Sequence, residues 1–309
     1  AGDDAISHLV FARTGDRLVL LSATADGAIR RRDPESRNAV AAHLESTADA
    51  PGATTSLAAS RDGRLLAAGS TDGSVRLWDL TTGKLRRTTP APTYYDELNA
   101  VSFSRDGAHL ALGSLAGLRI LDLGNPDHAE RMIQGHGDAV VSLAQSDERW
   151  FSAGKDGSVL EWTQGVFAQQ PIRDGDEFEF RMGFGRDLKE LSTLSTSADG
   201  SLILAGGSDG HVQLWDGANH ILIGPRFRGH GTRSISTVAL APDGSFFVTA
   251  DAATILIWPK PDAWADIICE KLTSNMSAQQ WRDWVSPDIP YQEQCSGLTV
   301  LSDASTSSK

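Results

Sequence analysis

Thr54-Thr55-Ser56-Leu57-Ala58-Ala59-Ser60-Arg61-Asp62-Gly63 is followed by Arg64-Leu65-Leu66-Ala67-Ala68-Gly69-Ser70, and Asp72-Gly73 then opens Ser74-Val75-Arg76-Leu77-Trp78-Asp79. The stretch reads as three short strands separated by two tight turns. Asp-Gly between apolar runs is a strong hairpin signal, because Gly takes a positive φ cheaply and Asp tolerates it. Val75 and Leu77 alternate with Arg76 and Trp78, as in a strand of a sheet covered on both faces.

The same grammar returns in Val101–Gly107, Leu194–Gly200 and Val238–Gly244. Asp26-Gly27, Asp156-Gly157 and Asp209-Gly210 repeat the second turn, and Leu115-Ala116-Gly117 stands in the same place. The strands that follow end at Arg32, Trp78, Leu121, Trp162, Trp215 and Trp258, in steps of 46, 43, 41, 53 and 43 residues. A unit of that length is one small sheet that cannot bury its faces alone and must stack on its neighbours.

With Trp78-Asp79, Trp215-Asp216, Gly135-His136 and Gly229-His230, the pattern resembles the WD-repeat family of β-propellers over residues 1 to about 260. The resemblance implies an all-β propeller. It also implies that a His, a Ser or Thr, a turn Asp and the Trp form a hydrogen-bonded chain inside a blade. His136, Ser152, Asp156 and Trp162 match that set in full, and His230, Thr249, Asp251 and Trp258 match it with a one-residue shift. Arg32 and Leu121 replace the Trp, so those units should be held by packing. The recurring His, Ser and Asp are read as a satisfied architectural network, not a hydrolase triad.

Six units are visible, and no gap between them can hide a seventh. The chain opens at the loop before an innermost strand, with no outermost strand ahead of it. Propellers that the family resemblance implies close by pairing one chain end into the blade of the other. Closure removes an exposed edge. Pro259-Lys260-Pro261 disfavours such a strand at the other end. The expectation is therefore a six-bladed ring, with a seven-bladed ring completed by upstream residues or a partner as the alternative.

The period changes after Pro261. The domain reading is 1–261 propeller, 262–298 a helical extension packed on it, and 299–309 a Ser-rich disordered tail. Asp262 can cap a helix through Leu272 with Trp264, Ile267, Ile268 and Leu272 on one face, and Ser277 with Gln280 reads as a capping box. Cys269 and Cys295 could be bridged or remain two buried thiols. Cys269, Asn275-Met276-Ser277, Trp281, Tyr291 and Cys295 resemble the C-terminal ends of bacterial proteins that join a STAND-type NTPase to WD repeats. That resemblance implies a cytoplasmic signalling protein with an upstream effector.

Composition narrows the function. The net charge is −12, and the longest basic run, Arg30-Arg31-Arg32, lies beside Asp33 and Glu35. Counterion release from nucleic acid needs clustered cations, so no nucleic-acid partner is expected, and no membrane partner either. With two cysteines in 309 residues, a secreted disulfide scaffold is disfavoured and a cytoplasmic location expected. No phosphate-binding Gly loop and no zinc spacing is present, so no cofactor, metal or catalytic residue is assigned. Asp174-Gly175-Asp176-Glu177 is read as a solvated loop in preference to a calcium site.

Residues 164–190 form an insertion unusually rich in Phe. In the family this resembles, the loops entering the innermost strands share one rim with the Asp-Gly turns. Phe178, Phe184 and Arg186 would lie there, with Tyr94, Tyr95, Asp96, Glu97 and Lys155. One of the tyrosines could equally pack between blades. The expected function is a non-catalytic recognition module that takes a protein partner on this rim. The rivals are a free-standing scaffold and, less favoured, a hydrolase or lyase in the central channel.

Overall fold

The computed structural model describes residues 6–15, 17–24, 28–34, 44, 52–91, 97–124, 131–146, 149–163, 181–182, 190–224, 226–260, 262–284 and 290–301. Among them are six antiparallel sheets. The first holds β1 (Ile6–Thr14), β2 (Arg17–Thr24) and β3 (Ile29–Arg32). The second runs β4 (Thr54–Ala59), β5 (Leu65–Ser70), β6 (Val75–Asp79) and β7 (Leu85–Thr89). The third runs β8 (Leu98–Phe103), β9 (His109–Ser114), β10 (Gly117–Asp122) and β11 (Arg131–Ile133). The fourth runs β12 (Val140–Ser146), β13 (Arg149–Gly154), β14 (Val159–Thr163) and β15 (Arg181–Met182). The fifth runs β16 (Leu191–Thr196), β17 (Leu202–Gly207), β18 (Val212–Asp216) and β19 (Ile221–Leu222). The last holds β20 (Thr237–Leu240), β21 (Phe246–Ala250) and β22 (Ile255–Pro259).

The turns repeat because their chemistry repeats. Ser60 Oγ donates to Asp62 Oδ1 at 2.6 Å, Asp62 accepts from Arg64 N, and Leu65 N donates back to Ser60 Oγ at 2.9 Å. Ser104 with Asp106 and Ser197 with Asp199 build the same turn. Gly63, Gly107 and Gly200 sit at φ of +68°, +70° and +69°, in the left-handed region that glycine enters without strain. In the third turn Asp79 accepts from Thr81 N and Thr82 N, and Asp216 from Ala218 N and Asn219 N. The aspartate that follows each of these tryptophans therefore caps the next turn.

A register shift sits near the start of β1, β4, β8, β12 and β16, at matching positions. Such a bulge bends the strand and steepens its twist. The compact unit Ala1–Gly244 with Val248–Ile257 contains these inner strands. Within it they neighbour one another in the order β1, β4, β8, β12, β16, β20, and no comparable contact joins β20 to β1 among the described residues.

Burial follows from that arrangement. In β5, β9, β13 and β17 every residue after the first is buried, so these strands are covered on both faces. β20 instead alternates exposed and buried positions, and β1 keeps Ile6, Leu9 and Phe11 in solvent. The core lies between sheets. Trp78, Leu21 and Leu66 share one cluster, Trp150 and Trp162 join Ile120 and Leu118 in another, and Phe151 meets Trp215 and Ile203 in a third. Leu121, standing where other units have Trp, is buried at 6 % exposure by packing alone, whereas Arg32 stays exposed.

The second compact unit is Ser245–Phe247 with Trp258–Lys309. Trp258 stacks on Phe247 at 5.8 Å between ring centroids. Helices α1 (Asp262–Lys271) and α2 (Ala278–Trp284) follow. The capping box forms as its residue types dictate: Gln280 N donates to Ser277 Oγ at 3.1 Å and Ser277 N to Gln280 Oε1 at 3.0 Å. Of the face expected on α1, Trp264 and Ile267 are half-buried, but Ile268 and Leu272 are exposed. Cys269 and Cys295 are bridged, with their Cα atoms 5.4 Å apart. Asn275, fully buried, donates from Nδ2 to the Cys295 and Leu298 carbonyls and accepts from Cys295 N. Val300 bridges Asn275, so the chain expected to be disordered from 299 pairs as far as Leu301. Residues 302–309 lie outside the described residues.

Candidate functional site

Antiparallel strands put the turn after each second strand at the same end of the sheet as the loop entering the first. A backbone bond ties the two: Thr71 N to Ala53 O at 3.0 Å, Lys155 N to Ala139 O at 2.9 Å and Ser208 N to Glu190 O at 2.9 Å. The end so formed is the rim that the sequence singles out. Three of the turns on it are locked by their own side chains. Asp72 Oδ1 accepts from Ser74 N and Oγ, Asp156 Oδ1 from Ser158 N and Oγ, and Asp209 Oδ1 from His211 N.

Of the rim residues named from sequence, Lys155 is exposed on the turn between β13 and β14, and Glu97 is exposed just before β8. Tyr94, Tyr95, Asp96, Phe178, Phe184 and Arg186 lie outside the described residues, as does the acidic stretch Asp174–Glu177.

Beneath Lys155 the polar chain that the resemblance implies is assembled. Trp162 Nε1 donates to Ser152 Oγ at 2.7 Å, and Ser152, wholly buried, lies 2.7 Å from His136 Nε2. His136 Nδ1 faces Asp156 Oδ1 at 3.2 Å and Ser158 Oγ at 3.0 Å. The assignment that uses every proton has Ser152 donating to Nε2 and Nδ1–H pointing at Asp156. Burial lowers the His136 pKa, against the opposing pull of Asp156, so the ring is neutral. Burial alone would raise Asp156, but bonds from Ser158 and Gly137 N outweigh it and the carboxylate stays ionised.

A second set forms around His230, which is 2 % exposed. Its Nε2 lies 2.7 Å from Thr249 Oγ1 and its Nδ1 3.1 Å from Asp251 Oδ2. Asp251 also accepts from Arg233 Nε at 2.6 Å and from Ala253 N and Thr254 N. Burial works to raise its pKa, and these donors overcome it and lower the net value. In both sets the hydroxyl is spent on the tryptophan indole or the imidazole, and the carboxylate on backbone donors. Neither presents an oxyanion site beside a nucleophile.

A cavity of about 280 Å³ lies along β1, β4, β8 and β12. Its lining is mixed, with Val10, Leu57, Val101, Phe103 and Leu143 as apolar groups and Arg61, Ser102, Ser104 and Gln145 as polar ones, and neither a carboxylate nor an imidazole lines it. Among the described residues no group of three His, Cys, Asp or Glu side chains is placed to hold a metal ion. No described helix is long and apolar enough to cross a membrane.

One recurrent device escaped the sequence reading. Ser7 Oγ reaches the Thr54 carbonyl at 3.4 Å, Thr55 Oγ1 reaches the Leu98 carbonyl, Asn99 Nδ2 reaches Val140 O at 3.1 Å, and Ser192 Oγ reaches Ile235 O at 2.6 Å. Each donor follows the first inner-strand residue of one sheet, and each acceptor is the residue just before the corresponding position in the next; the fourth sheet has Val141 at that position and no donor. Aligning the units by their bulges, not by their Asp-Gly turns, would have exposed this column of Ser, Thr and Asn, broken only at Val141.

Known proteins agree with this architecture. The WD domain, G-beta repeat family matches at residues 44–79, 187–216 and 224–259. The chain is 32 % identical over 154 residues to small ribosomal subunit protein RACK1y of Oryza sativa subsp. japonica, covering 48 % of this chain and 43 % of that one. It is 25 % identical over 238 residues to target of rapamycin complex subunit wat1 of Schizosaccharomyces pombe, covering 64 % and 75 %. It is 28 % identical over 200 residues to the human U5 small nuclear ribonucleoprotein 40 kDa protein, covering 63 % and 53 %. The chain thus spans less than half the length of the rice relative and about half that of the human one. Among solved structures, the RRP9 WD40 repeats superpose with a TM-score of 0.67 at 22 % identity, over 84 % of this chain and 77 % of that one. U3-55K gives 0.66 at 21 % identity, over 84 % and 78 %. Repeats at the family's spacing, turn aspartates in the family's places and sheets stacked inner strand to inner strand make this an all-β WD-repeat fold.

Proposed function

We propose that this is a non-catalytic recognition module that holds a protein partner on the rim of Asp-Gly turns, within a larger bacterial signalling protein of the STAND NTPase kind in the cytoplasm. The observation that carries it is the locking of the rim turns by their own side chains, which pre-organises the loops and lowers the entropy cost of binding. The surroundings of His136 and His230 favour architecture over chemistry. The relatives, named as a small ribosomal subunit protein, a target of rapamycin complex subunit and a U5 small nuclear ribonucleoprotein component, support an interaction role. They also favour the second reading, a free-standing scaffold. The tail motif around Asn275 and Cys295 is what favours the signalling context.

The test is capture of the partner from the source cell by the full chain and by rim variants. Tyr94→Ala, Tyr95→Ala and Arg186→Ala together with Lys155→Ala should abolish capture while leaving circular dichroism and melting unchanged. Undiminished capture by that variant rejects the rim. An upstream NTPase in the parent reading frame would separate the signalling module from the free scaffold.

A further inference from the structure

The cavity along β1, β4, β8 and β12 is built mainly from the later halves of these inner strands, away from the rim of Asp-Gly turns. Ala53, just before β4, is tied to that rim, whereas Arg61 follows the other end of the strand. Four sheets supply the apolar wall. Val10, Leu57 and Leu143 are half-buried, and Val101 and Phe103 are buried at 6 % and 4 % exposure. At about 280 Å³ the space stands at the lower end of small-molecule sites, which combine apolar walls with a few polar groups that fix orientation.

Two polar groups in that lining are unengaged. Ser104 is not one of them: its Oγ donates to Asp106 Oδ1 at 2.6 Å and accepts from His109 N. Elsewhere inner-strand hydroxyls serve the backbone of the next sheet, as Ser142 Oγ does for Leu194 N at 3.1 Å and Ser195 Oγ for Leu240 N at 3.0 Å. Ser102 holds the place of Ser195, opposite Ala111 as Ser195 is opposite Leu204. It lines the cavity at 8 % exposure, yet its hydroxyl has no hydrogen-bond partner among the described residues. Buried hydroxyls are normally bonded, so this one is available to a bound molecule. Arg61 is the one charged side chain among the described lining residues. It is exposed and has no hydrogen bond or ion pair among the described residues. Asp62, next in the chain, is engaged in its own turn by Ser60 Oγ and Arg64 N. On a chain of net charge −12, an unpaired guanidinium beside apolar walls free of carboxylate selects an anion.

We infer that this cavity binds a small monocarboxylic acid with an apolar body. The body lies against Val10, Leu57, Val101, Phe103 and Leu143, the carboxylate pairs with the Arg61 guanidinium, and the Ser102 hydroxyl donates to the bound acid. One cation matches one negative charge, whereas a phosphate monoester carries nearly two and would leave charge unmatched. The site lies away from the rim and does not depend on what the rim holds.

The probes are 4-phenylbutyrate and octanoate, titrated into the full chain by isothermal calorimetry beside the matching alcohols and phenyl phosphate. Each acid should bind one-to-one and raise the melting temperature. The alcohols, and the Arg61→Ala variant with either acid, should bind more weakly on the order of tenfold or more, as loss of a charge-assisted contact does. Ser102→Ala should weaken binding about threefold, the size of one neutral hydrogen bond. Ala58→Phe, which places a ring in the cavity from a half-buried wall position, should abolish it. Arg61 is exposed and unpaired, so its variant should melt as the parent does, which keeps the test clear of misfolding. Lys155→Ala should leave acid binding unchanged, so the rim and the cavity fail separately. The inference is overturned if neither acid binds, if the alcohols or phenyl phosphate bind as tightly, or if binding is undiminished in Arg61→Ala, Ser102→Ala or Ala58→Phe.

Discussion

Gly63 and Gly107 occupy the same turn in successive units with nearly the same positive φ, yet they differ in what surrounds them. A Cβ on Gly63 would fall against the Arg13 carbonyl, whereas one on Gly107 meets nothing within 4 Å. Gly107→Ala should cost about 1 kcal/mol of backbone strain, and Gly63→Ala clearly more, as read by urea unfolding. Equal losses would mean that the clash relaxes freely. The His136 set behaves as a unit. His136→Ala strips two buried partners and should cost about 2–3 kcal/mol. Trp162→Ala, which also opens a cavity, should cost about 3–5 kcal/mol. The sign of the pH effect follows from burial. His136 titrates lower in the folded state than its ordinary 6.5, so its contribution is complete above pH 6.5 and is lost as the pH falls through the folded value. Asp199 is pulled down to about 2, first by the Ser201 amide and then by the Ser197 and Ser201 hydroxyls. Its contribution is complete above its ordinary 3.8 and is lost as the pH falls towards 2. Replacing His136 by Gln should flatten the loss below pH 6.5, and a profile unchanged by that substitution would count against the assignment.

Among elements, hairpins and caps were legible and edges were not. The Asp-Gly turns and the Ser277 box are local chemistry, where side chain and backbone meet within a few residues, so spacing alone reveals them. Ser277→Ala should therefore cost about 1 kcal/mol. The bridge is another matter: two cysteines 26 residues apart can pair or not, and only the fold brings Cys295 to helix α1. Cys269→Ser with Cys295→Ser should lower stability by about 3–4 kcal/mol in the chain-entropy description. An unchanged melting curve of the second compact unit would show that Asn275 and its bonds suffice. A persistent bridge is at home in an oxidising compartment, which sets it against the cytoplasmic location proposed from the family likeness. The α1 face was read from helical periodicity as one stripe, but Ile268 and Leu272 remain in solvent, because periodicity reports amphipathicity and not which part of the stripe is covered.

At the scale of the whole molecule, stability lies between sheets. Trp150 Nε1 donates to the Phe103 carbonyl of the preceding sheet at 3.1 Å, and Arg149 crosses to the Gly217 carbonyl at 3.0 Å and the Gly200 carbonyl at 3.1 Å. Trp150→Phe keeps the ring and loses the bond. It should lower the unfolding free energy by about 1 kcal/mol without splitting the transition, since neighbouring sheets unfold together. A second transition would show that sheets three and four are held more loosely than their shared core implies. The rim is half legible at this scale: topology alone places Lys155 and Glu97 at one end.

What the sequence by itself determined is the repeat: strand lengths, turn positions, the polar set around Trp162, and hence an all-β array whose units must stack. Those follow from interactions a few residues long, repeated at a period any reader can count. What only the tertiary structure decided is how the ends of that array are left. Leu9, Phe11, Ile255 and Ile257 look in the sequence like any other strand residues, since alternation specifies two faces but not whether a neighbour covers each. Covering is a property of the stack, set by the sheet that stands alongside, and the bare faces of the end sheets become visible only when the sheets are in place.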